Sequence, residues 1–321
     1  MNAQKTRPIT KEIYINSVGV CIKVVAPEQL SEAFTKLCTT LIPLGSEAST
    51  HNSPRKPDII IVFRPANSPN LTIRGNIVLL ESAIDPYQSA MDVILLASKL
   101  LERELNRHNI YSVHASAVCK GGRSVVIIGQ PGAGKSTTAL NCCLLDNSVK
   151  YLGDNRITLN NLSEVVGMSS SMSIRRGSLF SEFGDFDLLR NMSRDTNRET
   201  FGDTRVEIQP EDLGIAKYTE LPVKVDHIVL VRKLPKAVTV KEKMEAYNLL
   251  LLRLYESLSF YSDGLSLLLG SHLPIQDLFS NRSKTERLRF AEGMLDTIQS
   301  SVVEGTLGDI SNHVLKQLAR V

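Results

Sequence analysis

Between Arg123 and Thr137 the chain reads RSVVIIGQPGAGKST: a β-branched apolar run, a loop with three glycines, then a lysine and two hydroxyl residues. The apolar run predicts a buried strand and Thr137 to Leu145 predicts a helix, so the loop must join a strand end to a helix start. The spacing Gly129-x-x-x-x-Gly134-Lys135-Ser136 is that of a phosphate-binding loop. Gly129, Gly132 and Gly134 permit backbone angles closed to other residues, which lets successive N–H groups turn inward around an anion. Lys135 is placed to reach the β- and γ-phosphates, Ser136 offers a hydroxyl to Mg²⁺, and the helix adds the positive end of its dipole. The competing reading is a glycine turn that binds no nucleotide.

The rest of the chain narrows the partners. Net charge is +3 over 321 residues with both signs interspersed, and Trp is absent, so neither a nucleic-acid groove nor a membrane-surface helix is expected. The N-terminal MNAQKTRP is polar, and no apolar run approaches the roughly 18 residues of a membrane span, so a cytoplasmic protein is expected. Cys21, Cys38, Cys119, Cys142 and Cys143 show no CxxC or Cys/His metal spacing and read as reduced thiols. At least one of the adjacent pair Cys142 and Cys143 is expected to pack as a small hydrophobe.

Residues 12–25 predict a strand pair broken near Gly19, Pro27 opens a helix to Leu41, and Asp58 to Phe63 predicts a buried strand, with one or two more over 72–80. Ile77 to Glu81 imitates the acid-terminated strand of phosphate-loop proteins. It precedes the loop, however, and reads better as a core strand with a helix-capping Glu81. Pro86 to Arg107 carries apolar residues at helical spacing and is expected to lead into a second domain. Domains of 1–84, small and α+β, and 85–321, built around the loop, follow.

Tyr111 to Val118 predicts a strand bearing His114, and the Gly121-Gly122 turn makes it one arm of a hairpin that feeds the loop. Val149 to Asp154 predicts a strand ending in an acid beside the loop, where Mg²⁺ or a substrate hydroxyl would be met; a β-turn Asp154-Asn155 is the plainer alternative. Residues 169–220 read as a long irregular basic segment, with Arg175, Arg190, Arg194, Arg198 and Arg205 as candidates to close over phosphate. A strand over 223–234, helices over 241–259, to 298 and over 310–318, and a strand from Ser301 complete the chain.

The block of His114 with Ala115 to Val118, then GQPGAGKST, then Tyr151 to Asn155 resembles the C-terminal catalytic domain of HPr kinase/phosphorylase and its kinase-like relatives, a fold akin to phosphoenolpyruvate carboxykinase. A weaker likeness, over Ser173 to Arg176 and Gly202 to Gly214, is to HPr-kinase-like proteins of modified-peptide gene clusters. The resemblance covers about residues 85–321. It implies an α/β fold with a mixed sheet around the phosphate loop and a Mg²⁺- and ATP-dependent kinase. The γ-phosphate would go to a hydroxyl of a peptide, a protein or a small molecule. Gly129 to Thr137, with Gln130, Pro131 and Ala133 among them, would bind the nucleotide phosphates, Ser136 and Asp154 would bind the metal, Asp154 would alternatively take the acceptor proton, and His114 and Lys135 would serve the transfer. Where that family has two aspartates this chain has Asp154-Asn155, which argues against the reverse phosphorylase reaction. The competing class is an ATP-binding regulator or NTPase without transfer. A homo-oligomer is compatible with either. Lys135→Ala and Asp154→Ala are each expected to abolish transfer with the fold intact.

Overall fold

A computed structural model describes residues 10–41, 47–49, 55–82, 85–169, 171–183, 205–235, 237–263, 268, 270–275, 278 and 281–319. The fold is α/β with mixed sheets, divided into two compact units, Met1–Asn109 with Tyr261–Ser283 and Ile110–Phe260 with Lys284–Val321. Among the described residues no helix is long and apolar enough to cross a membrane.

The first unit is a six-stranded sheet, in the order β3-β1-β2-β4-β6-β5, with two helices. Its strands are β1 (Thr10–Ser17), β2 (Val20–Pro27), β3 (Glu47–Ser49), β4 (Ile59–Pro65), β5 (Asn70–Arg74) and β6 (Ile77–Ser82). Strand alternation buries Ile13 and Ile15, Ile22 and Val24, Ile59 and Ile61, and Val78 and Leu80. Over this sheet lie α1 (Glu28–Leu41) and α2 (Pro86–Arg107). Each such side chain, fully buried, contributes about 1.5–3 kcal/mol. The Asp85 carboxylate accepts from Gln88 N at 2.8 Å and Pro86 follows, so the helix start is set by Asp85. Glu81 does not cap that helix; it lies on β6 and accepts from Asn70 at 2.9 Å.

The units part after Asn109, not at 84/85, because α2 packs on α1, β2 and β4. A later segment also returns to this unit. Asp92, fully buried, accepts from Gly270 N and Ser271 N, both at 2.8 Å, and Lys99 Nζ donates to Tyr261 O at 2.9 Å.

The second unit is built on a nine-stranded sheet: β7 (Tyr111–Val113), β8 (Ser116–Lys120), β9 (Arg123–Ile128), β10 (Lys150–Gly153), β11 (Ile157–Leu159), β12 (Glu164–Met168), β15 (Val223–Lys233), β16 (Thr239–Glu242) and β17 (Gln299–Gly305). The path runs β10-β8-β9-β15-β12-β11-β7, and β15 also pairs with β17. Strands β9, β15 and β17 are parallel, and the other pairings are antiparallel. Along β9, Val125 and Ile127 face one way, into a core with α3 (Lys135–Leu145) and the C-terminal helix Leu307–Ala319. Val126 and Ile128 face the other, into a core with the helices Lys243–Asp263 and Asn281–Thr297. Helices on both faces explain why these strands are continuously apolar.

The irregular reading of 169–220 is corrected in part. It contains the hairpin-like pair β13 (Met172–Arg175) and β14 (Arg205–Ile208), the helix α4 (Arg176–Phe183) and a 3₁₀ turn, Pro210–Leu213. Met172 and Ile174 are buried in the α3 core, which is what draws this polar stretch into order. Arg190, Arg194 and Arg198 lie outside the described residues. The helices Lys243–Asp263, Asn281–Thr297 and Leu307–Ala319 are α5, α6 and α7.

Candidate functional site

The loop 129–134 leaves the C-terminal end of β9, and the parallel neighbour β15 ends alongside it at Lys233. Ligands of open α/β sheets meet this end of parallel strands. Lys233 N donates to Ala133 O at 3.2 Å, which ties the loop to the sheet. Gly134 caps α3 with φ 97°, in the left-handed region, and no side chain caps the helix. A helix start without a capping side chain is where an anion can be met by backbone N–H groups. Lys135 is buried and folds over the loop, donating to Gly129 O at 3.0 Å and Gln130 O at 3.3 Å. With its amide oxygen turned outward, Gln130 accepts from both terminal nitrogens of Arg253 on α5, at 2.8 and 3.1 Å.

Asp154 is the convergence point. Its Oδ1 accepts from Ser136 Oγ at 2.7 Å and from Ser116 Oγ at 2.5 Å, and its Oδ2 accepts from Ser173 N at 3.1 Å. Three elements, α3, β8 and β13, thus meet on one carboxylate that is 1% exposed. The strand carrying it, β10, is not next to the loop strand as expected: β8 of the hairpin lies between them. The acid still reaches the loop because the register of β10 shifts between Tyr151 and Gly153. Gly153 is required there, since a Cβ would lie 2.6 Å from Ile157 Cδ1 and 2.8 Å from Met168 Cβ.

His114 sits between β7 and β8 instead of within one strand. The break is where the chain passes from the β11 side of the sheet to the β9 side. His114 N donates to Ser257 O of α5 at 2.9 Å, and its ring lies 4.0 Å from the Phe260 ring, tilted by 30°. Asn155 follows Asp154 with φ 58°, a left-handed conformation that Asn tolerates better than most residues, as a turn at Asp154-Asn155 requires.

Around these groups is a pocket open to solvent, lined among others by His114, Lys135, Ser136, Asn155, Arg175 and Lys233. Pro131, Gly132 and Thr137 also border it; Asp154 lies beneath it, behind Ser136. Arg175 and Arg205 are brought together as directly paired residues of β13 and β14. Among the described residues no cluster of three or more His, Cys, Asp or Glu side chains is arranged to hold a metal. The hydroxyl of Ser136 backed by the carboxylate of Asp154 is instead an oxygen donor set of the kind Mg²⁺ takes when phosphates and water supply its other ligands.

The sequence alone does not single out Lys233 or Ser116, and it marks Ser173 only as the start of the weaker likeness. Only Lys233 carried a usable mark, a lysine closing an apolar strand; the serines are recruited by the fold. The described cysteines Cys21, Cys119, Cys142 and Cys143 are buried and in no disulfide, and both members of the adjacent pair pack in the α3 core. No protein-family model matches the chain, and no curated protein matches it in sequence.

Proposed function

We propose that this chain is an ATP- and Mg²⁺-dependent kinase that transfers the γ-phosphate to an alcohol hydroxyl, of Ser or Thr in a peptide or protein or of a small hydroxylated molecule. The carrying observation is the bond from Ser136 to Asp154 at the foot of the glycine loop, facing a pocket that also holds Lys135, His114 and Arg175. The likeness to HPr-kinase-like proteins supports the same reading.

In this scheme the loop N–H groups and Lys135 hold the phosphates, and Ser136 with Asp154 would hold Mg²⁺, which when bound supplies neutralisation of phosphate charge. Positioning and charge neutralisation are most of what a phosphoryl-transfer enzyme must do. Arg175 neutralises the transferred group. The acceptor oxygen forms its bond to the γ-phosphorus as the bond to the bridging oxygen breaks, and ADP leaves with that electron pair. Asp154 already accepts three hydrogen bonds, which supports reading it as the metal-side acid. His114, whose imidazole borders the pocket, is then the residue to orient the acceptor hydroxyl and take its proton.

A second reading, an NTPase or ATP sensor, is favoured by one observation: among the described residues none that lines the pocket is a carboxylate, and Asn155 stands where a second acid would be. Incubation with γ-labelled ATP, Mg²⁺ and candidate acceptors separates the two. Label on an acceptor establishes the kinase, free labelled phosphate alone establishes the NTPase, and nucleotide binding without turnover establishes the sensor.

A further inference from the structure

We infer that Lys233 is a second phosphate-binding lysine of this site, and that Glu182 is an internal anion which a nucleotide phosphate must displace from it. The inference rests on the nucleotide-binding reading above and adds to it a residue that the loop motif does not contain. Lys233 is held against the loop by its backbone and by the stem of its side chain. Its backbone N–H bonds Ala133 O at 3.2 Å, and its Cβ lies 3.5 Å from where a Cβ on Gly134 would be. Lys233 borders the pocket that Lys135 and Ser136 also line, and its ammonium is paired with the Glu182 carboxylate of α4.

The preceding residue shows that this placement is specific. Arg232 points to the other side and pairs with Glu304 of β17 at 3.3 Å, with a side chain 68% exposed. Strand alternation thus sends one cation of the pair out to solvent and the other to the loop. The Lys233 and Glu182 side chains are 33% and 24% exposed, so water screens their attraction. A triphosphate presents several charged oxygens to the same ammonium and wins such a competition.

The prediction is a pair of opposite effects. Lys233→Gln keeps much of the stem that packs on Gly134 and removes the charge; Glu182→Gln frees the ammonium. With ATP and Mg²⁺ in isothermal titration calorimetry, Lys233→Gln is expected to raise Kd about tenfold or more, and Glu182→Gln to lower it. In the double variant the gain from Glu182→Gln should vanish. Adenosine, which lacks phosphate, should show neither effect. If the pair is only structural, both single variants weaken ATP binding alike, and that result overturns the inference. ATP affinity in Lys233→Gln within about twofold of wild type, well inside the effect of one charge-assisted hydrogen bond, overturns it too. Wild-type protein that binds no ATP would remove the nucleotide-binding reading itself, whereas tight wild-type binding with indifferent variants removes the role of Lys233 alone.

Discussion

Ser136 Oγ donates a 2.7 Å hydrogen bond to Asp154 Oδ1, the same oxygen that Ser116 Oγ reaches from β8 at 2.5 Å. One carboxylate therefore joins the helix after the glycine loop to the hairpin before it. Removing it leaves three donors around a site that is 1% exposed. Asp154→Ala should accordingly lose about 1–3 kcal/mol of stability, contrary to the expectation from sequence that the fold would be untouched. Asp154→Asn keeps an acceptor oxygen and should lose less. Urea unfolding of the three proteins decides this; identical midpoints would show that the network carries no structural weight.

Gly153→Ala tests how Asp154 is delivered. An added Cβ meets Ile157 Cδ1 at 2.6 Å and Met168 Cβ at 2.8 Å. Overpacking of this kind costs about 1–3 kcal/mol. A lowered Tm is expected, with ATP affinity falling as well because the acid is displaced from Ser136. A Tm unchanged from wild type would mean that β10 and β12 yield freely at this point.

The buried thiols give a pH prediction. Burial pushes Cys119 up to about 11 and Cys143 up to about 12, from 9.0 for a free thiol, and Cys142 higher still. Groups whose folded pKa is raised stabilise fully below the unfolded value and lose that contribution as pH rises through the folded one. Stability should therefore decline from about pH 9 upward on this account. At pH 8 a thiol reagent such as DTNB should leave these three cysteines unmodified until denaturant is added. Rapid modification of Cys142 or Cys143 in the folded protein would contradict the packing of α3.

Legibility in the sequence followed the range of the interaction. Local signals were sufficient for the glycine loop, for the Gly121-Gly122 hairpin turn with φ of 57° and 79°, and for α2, whose limits Pro86 and Arg107 match the apolar spacing. Asp154 was found because it closes a short strand. Lys233 was not, because its nearness to Ala133 depends on parallel pairing between β9 and β15, about a hundred residues apart in the chain. The same holds for Ser116 and Ser173, ordinary serines until the sheet turns them onto Asp154. The division between the units was misplaced because the buried face of α2 belongs to the first sheet, and no local pattern says which of two sheets an amphipathic helix will cover.

His114 and Phe260, with rings 4.0 Å apart, offer a test of the acceptor side. His114→Gln should lower kcat for transfer about 100-fold or more while leaving Kd for ATP within about twofold, since general-base contributions are of that size. Phe260→Ala should reduce kcat less, by loosening the ring that His114 stacks on. A loss of ATP affinity with unchanged kcat would place His114 on the nucleotide instead.

The central claim is that the glycine loop, Ser136 and Asp154 together form a Mg²⁺-nucleotide site. Calorimetric titration of the whole chain with ATP, with Mg²⁺ and then with EDTA, tests it most directly, in wild type and in Asp154→Asn. Wild type should bind ATP more tightly with Mg²⁺ than without, and Asp154→Asn should still bind ATP but lose most of the Mg²⁺ advantage. Equal Mg²⁺ dependence in the two proteins, or no ATP binding by wild type, would contradict it.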